Sequence, residues 1–184
     1  MTLTKINAPK AATGILPAAN GGTAVSSLPL PVSSGGTGLT SRIAFQATKS
    51  SNQTVVAQTI TTCIYDTEIL DTNNGYNTST GVYTVPVAGW WNFSAMIRMG
   101  YSSTGDGDGN TCVLRKNGGV LDFTILAINA NSQIHQNSPR LNMDLLCAVG
   151  DTIDVQGNIG GNGTIFYGSP SHRPSFSGHY LGAA

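Results

Sequence analysis

The densest set of chemically capable side chains in this sequence is Asp106-Gly107-Asp108-Gly109-Asn110, which offers oxygen ligands at i, i+2 and i+4. Calcium loops use that spacing, alternating carboxylates and amides around a hard cation. The rest of an EF-hand is missing. Thr111 stands at the sixth position, where Gly makes the turn, and Asn117 stands at the twelfth, where a bidentate Glu closes the shell. An EF-hand is excluded, and two readings stay open: a partial, weak Ca²⁺ site, or a solvated loop tip making contacts through Asp106, Asp108 and Asn110. No other cofactor is expected.

The remaining reactive residues are scattered. His135, His172 and His179 share no zinc-motif spacing, so no metal centre is expected. Glu68 is the only glutamate, and the sequence has neither a Gly-x-Ser-x-Gly elbow nor a phosphate-cradling loop. No aspartate carries a motif that would make it half of a glycosidase pair. No catalytic residue is assigned, and an enzyme is not expected. Cys63, Cys112 and Cys147 are odd in number, widely spaced and outside any C-x-x-C motif, which suits buried free thiols made in a reducing cytoplasm.

Composition agrees. The 184 residues carry 10% charged side chains, against about a quarter in ordinary domains, and a formal net charge of zero. Neutrality removes the electrostatic footprint of a nucleic-acid binder. No apolar run approaches the roughly 18 residues of a membrane span. The segment after Lys5 and Lys10, broken by Thr13, Gly14 and Pro17, makes a poor signal peptide. The charge is nevertheless divided. Residues 1–43 hold Lys5, Lys10 and Arg42 and no acid, while the rest holds six bases and nine acids.

The elements follow the same division. Residues 1–43 show neither a period of 2 nor one of 3.6. They do contain a repeat, Leu16-Pro17-Ala18-Ala19-Asn20-Gly21-Gly22-Thr23, which returns 14 residues later as Leu30-Pro31-Val32-Ser33-Ser34-Gly35-Gly36-Thr37. Such a segment cannot bury a core alone but can lie extended along another surface. Residues 44–184 read as strands and turns. Trp91, Phe93, Ala95, Ile97 and Met99 alternate with Trp90, Asn92, Ser94, Met96 and Arg98, predicting one long strand with an apolar face. That alternation sends Trp91 to the core and Trp90 outward. Asn117-Gly118 predicts a hairpin joining Cys112–Lys116 to Val120–Thr124. Residues 102–110 read as a loop. Leu141, Met143 and Leu145, then Ile153 and Val155, then Phe176, Gly178 and Tyr180 predict three further strands. Helical periodicity is absent. The fold class is all-β, a jelly-roll β-sandwich with an extended N-terminal arm.

Five of these segments, in order over about 140 residues, resemble the globular-head domain of complement component one-q, in the tumour-necrosis-factor-like superfamily. They are Ala44-Phe45-Gln46-Ala47; the run from Tyr65-Asp66 through Gly75-Tyr76-Asn77 and Thr80-Gly81-Val82-Tyr83-Thr84-Val85-Pro86 to Gly89-Trp90-Trp91-Asn92-Phe93-Ser94; Lys116-Asn117-Gly118; Leu145 with Gly150-Asp151-Thr152-Ile153-Asp154-Val155; and Ser175-Phe176-Ser177-Gly178-His179-Tyr180-Leu181. The resemblance implies a jelly roll that associates as a tight homotrimer. The collagen-like stalk of animal members is absent.

The arm is similar to Leu-Pro-x-x-x-Gly-Gly-Thr-Gly repeats of tailed-bacteriophage appendage proteins. Residues 30–38 match fully, whereas Ala24 replaces the last glycine of the first copy. Together the two resemblances imply a non-enzymatic structural protein on the surface of a phage particle, synthesised in the host cytoplasm. In that reading residues 44–184 form a trimeric knob for capsid decoration, cement or head fibre. Residues 1–43 anchor it to the major capsid protein or another virion protein. Leu16, Pro17, Leu30 and Pro31 would be apolar anchors, with Lys5, Lys10 and Arg42 meeting acidic patches. The alternative is a tail-fibre or tail-tip module recognising host glycans or protein.

Overall fold

A computed structural model describes residues 42–100, 110–126, 136–159, 165–169 and 173–184, with backbone alone at 122–126 and 136–137. The chain divides into two units, Met1–Arg42 and Ile43–Ala184, and the second carries the described fold. Its strands are β1 (Ala44–Thr48), β2 (Gln53–Thr54), β3 (Thr61–Thr62), β4 (Thr67–Asp71), β5 (Tyr76–Asn77), β6 (Val82–Thr84), β7 (Gly89–Met96) and β8 (Met99–Gly100). There follow β9 (Asn110–Lys116), β10 (Gly119–Leu126), β11 (Gln136–Asn137), β12 (Arg140–Cys147), β13 (Thr152–Asn158), β14 (Ile165–Phe166) and β15 (Ser175–Gly182). Among the described residues there is no helix.

One sheet runs β12-β7-β15-β1-β4 and a second runs β10-β9-β13-β6-β5, with β3 added against β13. A short third sheet runs β11-β8-β14-β2. Every pairing is antiparallel, and β15, late in the chain, lies between β7 and β1. This is the expected all-β jelly roll.

Period-two patterning builds the core. Trp91, Phe93 and Ala95 point inward from β7 and are buried, while Trp90, one residue before them, is 44% exposed. Phe45 of β1 stacks on Tyr83 of β6 with ring centroids 3.9 Å apart, and Phe176 of β15 meets Phe45 edge-on at 4.8 Å. Trp91 and Phe93 stack at 5.9 Å, and Trp91 lies 5.7 Å from Tyr83. Rings from both large sheets therefore interlock, each such pair adding about 0.5–1.5 kcal/mol beyond its buried area. The indole Nε1 of Trp91 donates to the Val87 carbonyl at 2.9 Å, which satisfies its polar atom at the sheet end. Tyr65 and Tyr76 tie strand ends together. The Tyr65 amide donates to the Tyr76 hydroxyl at 3.2 Å, and that hydroxyl donates to the Tyr65 carbonyl at 3.1 Å.

The predicted hairpin forms as β9 and β10, turning on Asn117 (φ 52°) and Gly118 (φ 79°), the left-handed pair such a two-residue turn requires. The predicted long strand does not continue to Met99. β7 ends at Met96, and β8 belongs to another sheet, although Ile97 and Met99 both stay fully buried. The change of sheet follows from pairing, since Met99 and Gly100 pair with Phe166 and Ile165 of β14 on one side and with Asn137 and Gln136 of β11 on the other. Gly178 sits where β15 crosses the aromatic core. A Cβ there would come within 2.7 Å of the Phe45 and Phe93 rings.

Candidate interaction surfaces

Among the described residues, no group of three His, Cys, Asp or Glu side chains is placed to hold a metal ion. The surfaces with character lie at opposite ends of the β12-β7-β15-β1-β4 sheet.

At one end, Leu146 of β12 is the cross-strand partner of Trp90 on β7. On the other flank of Trp90, β15 bulges between Tyr180 and Gly182, which places Leu181 beside it. All three are exposed, as is Val149 in the following turn. A cavity of about 440 Å³ adjoins this patch, lined by Ala88, Gly89, Lys116, Leu146, Cys147, Ala148 and Ala184. One register step along, the surface becomes polar. The Asn92 side-chain amide donates to Asn142 Oδ1 at 3.1 Å and to Asp144 Oδ1 at 2.7 Å, while His179 stands opposite Asn92 on β15. The sheet's outer face thus grades from indole and leucine to an amide ladder.

At the other end, Arg98, Arg140 and Arg173 line a cleft of about 330 Å³ with Met96 and Ser138. The remaining bases of this unit are placed elsewhere. Arg115 pairs with Asp154 at 2.7 Å and Lys116 with Asp151 at 2.8 Å. Lys49 is buried, its Nζ donating to the Ile64 carbonyl at 2.7 Å and to Gln53 Oε1 at 3.2 Å. Burial lowers its pKa, and the neighbouring Cys63 and Asp66 partly offset this. Burial alone would raise the Asp66 pKa, but donors from Ser51 and Ser50 hold its carboxyl well below the usual range.

Of the residues singled out in the sequence, Lys5, Lys10, Leu16, Pro17, Leu30, Pro31, Asp106 and Asp108 lie outside the described residues, as do His135 and His172. Arg42 is exposed just before β1. Asn110 corrects the loop reading: it opens β9 and is fully buried rather than sitting on a loop tip. His179 and Glu68 are exposed on different strands, and Trp90 faces outward as expected. The three cysteines are free and buried, and burial pushes the Cys63 and Cys112 thiols up to about 12. The arginine cleft was missed. Its members are far apart in sequence, and only the order β12-β7-β15 makes them neighbours.

Two antiparallel sheets, with the late strand β15 set between β7 and β1, define the jelly-roll class. Residues 44–181 match the C1q domain, and the chain belongs to that family. No curated protein matches the chain. Among solved structures, murine APRIL at pH 5.0 is similar, with a TM-score of 0.58 at 13% identity over 77% of this chain and 100% of that one. The globular domain of zebrafish complement 1qA protein gives 0.54 at 16% identity, over 78% and 100%. Eiger TNF from S. frugiperda gives 0.61 at 14% identity, over 78% and 94%. Likeness at such identities is one of fold.

Proposed function

We propose that this protein is a non-enzymatic structural component of a bacteriophage particle. Its C1q domain forms a homotrimeric knob, and residues 1–43 fix that knob to the major capsid protein or another virion protein. The observation that carries the reading is one chain joining a C1q domain to an arm with two Leu-Pro-x-x-x-Gly-Gly-Thr repeats and a charge of +3. The outer face of the β12-β7-β15-β1-β4 sheet supports self-association. Trp90, Leu146 and Leu181 form an apolar cluster that a second and third copy would cover, and the Asn92 ladder beside it gives register. In this reading the knob sits near a capsid lattice, as decoration, cement or head fibre. Deleting residues 1–40 tests it: the truncated protein should remain a folded trimer and lose binding to purified capsids. Full occupancy of shells by the truncated protein would overturn the arm's role. Hundreds of copies per virion are expected, and a few dozen or fewer would favour the tail-tip, receptor-binding alternative.

A further inference from the structure

An asparagine followed by glycine is the dipeptide most prone to lose ammonia without an enzyme, because the glycine nitrogen carries no side chain to screen it from the asparagine amide. The chain has Asn20-Gly21, Asn74-Gly75, Asn117-Gly118 and Asn162-Gly163. The second and third lie among the described residues, and both asparagines are exposed. Both also take a left-handed backbone with φ of 52°, so φ does not separate them. Their hydrogen bonds do.

Asn117 is held at three atoms. Its backbone amide donates to the Thr152 carbonyl at 2.8 Å, its Nδ2 donates to Asp151 Oδ1 at 2.8 Å, and its Oδ1 accepts the Thr152 amide at 2.9 Å. Among the described residues, neither the backbone amide nor the side chain of Asn74 has a hydrogen-bond partner. The turn around Asn74 is fixed from its two sides instead. Asp71, which ends β4, accepts the Asn73 amide at 3.1 Å and the Tyr76 amide at 2.7 Å, and the Gly75 carbonyl accepts the Thr84 amide at 2.8 Å. The peptide joining Asn74 to Gly75 hangs between these supports, and the Gly75 nitrogen has no acceptor among the described residues.

We infer that Asn74 is a site of spontaneous deamidation in the folded protein, and that Asn117, in the same dipeptide, is spared by its hydrogen bonds. The Gly75 nitrogen attacks Cγ of Asn74 and forms a C–N bond. The side-chain nitrogen departs as ammonia, carrying the proton that the Gly75 amide gives up. Water then adds to either carbonyl of the resulting succinimide and breaks that carbonyl's bond to nitrogen, leaving aspartate or isoaspartate. Water is the only co-reactant. Ring closure requires Cγ and the glycine nitrogen to be brought into contact. At Asn74 this breaks no protein hydrogen bond, whereas at Asn117 it breaks two, one of them to a carboxylate. Either product places a new negative charge in the turn that Asp71 caps. Isoaspartate also lengthens the main chain by a methylene just before Tyr76, whose hydroxyl bridges the Tyr65 backbone and whose ring stacks 5.6 Å from Phe45. The chemistry is internal to one chain and depends on neither self-association nor the virion assignment.

The test incubates the full chain, folded, in mildly alkaline buffer. Samples are digested at acid pH, so that no ammonia is lost on the way, and peptide mass spectrometry counts the amide and carboxylate forms at each position. Loss of the amide at Asn74 should outpace that at Asn117 by about tenfold or more. In urea, where neither side chain is held, the two rates should converge. Asp151→Ala should speed the reaction at Asn117 and leave Asn74 as it is, with thermal unfolding reporting whether that variant is folded; the comparison within the parent chain stands whatever its stability. Asn117 reacting as fast as Asn74 in the folded chain overturns the inference. So does an Asn74 amide that survives folded for as long as both amides take to react in urea.

Discussion

Asn117 and Asp151, 34 residues apart in sequence, are joined by a 2.8 Å hydrogen bond from the Asn117 side-chain amide to Asp151 Oδ1. The other face of the Asn117 side chain accepts the Thr152 amide at 2.9 Å, and Asp151 also takes the Ala148 amide at 2.8 Å and the Lys116 ammonium. Two of the motif blocks visible in the sequence, Lys116-Asn117-Gly118 and Gly150-Asp151-Thr152, are therefore two halves of one clasp. It locks the β9–β10 turn onto the turn that starts β13.

That clasp gives the domain an acid-sensitive element. The hydrogen bond from Lys116, followed by that from Asn117, lowers the Asp151 pKa from its ordinary 3.8 to about 2. A depressed folded-state value contributes stability above the unfolded value and loses it as pH falls towards the folded one. Asp151→Asn should therefore cost stability at neutral pH and flatten the stability profile between about pH 4 and pH 2. Urea unfolding followed across that window checks this. An unchanged slope would show the clasp to be energetically silent.

Leu146→Glu or Trp90→Ser should convert the proposed three-copy assembly into single chains, read by sedimentation or by scattering mass. Both residues are exposed in the single chain, so far-ultraviolet circular dichroism should be retained. A trimer surviving the double substitution would place the subunit contact elsewhere.

Trp91→Ala should destabilise the domain by about 3–5 kcal/mol, because it empties a fully buried position against Tyr83 and Phe93. Trp91→Phe should cost less, mainly through the hydrogen bond to the Val87 carbonyl. Denaturant midpoints separate the two.

Gly178→Ala should cost about 1–3 kcal/mol by overpacking, since the new methyl meets two aromatic rings at 2.7 Å. A paired Phe93→Leu substitution, which narrows the ring wall, should recover part of it. Chemical denaturation of the single and double variants measures the coupling.

The three thiols should resist alkylation in the folded protein and react together on unfolding. All are buried, and for Cys63 and Cys112 the thiolate is further suppressed by a pKa near 12. Mass-spectrometric counting of alkylated sites with and without denaturant tests it. Rapid native labelling of Cys63 would contradict the burial.

Local rules reached some of this architecture and not the rest. Trp91 and Phe93 announce their burial by alternation, and Asn117-Gly118 announces its turn, because both depend on neighbours within a few residues. The end of β7 at Met96 leaves no such mark, since Ile97 and Met99 continue the inward period after the chain has left the sheet. Nothing local marks Lys49 for burial, and the Ile64 carbonyl and Gln53, brought in by tertiary folding, make it tolerable. Asn110 reads as loop by the company it keeps, yet it belongs to the strand that follows. The Trp90–Leu146–Leu181 patch was half legible. Alternation turns Trp90 outward, but only strand pairing supplies its companions.

The placement of β15 carries a consequence for biogenesis. Phe45 pairs with Gly178 and Phe93 pairs with the same residue from the other side, so the strand completing the central hydrogen-bond ladder is synthesised after both of its neighbours. Until it leaves the ribosome, β7 and β1 each present an unsatisfied edge, and the aromatic core lacks Phe176 and Tyr180. Closing the first sheet therefore waits on long-range pairing, which is intrinsically slow. A ribosome stalled before Ser175 would hold a sheet open along its middle, with two raw edges available to another copy of the same chain.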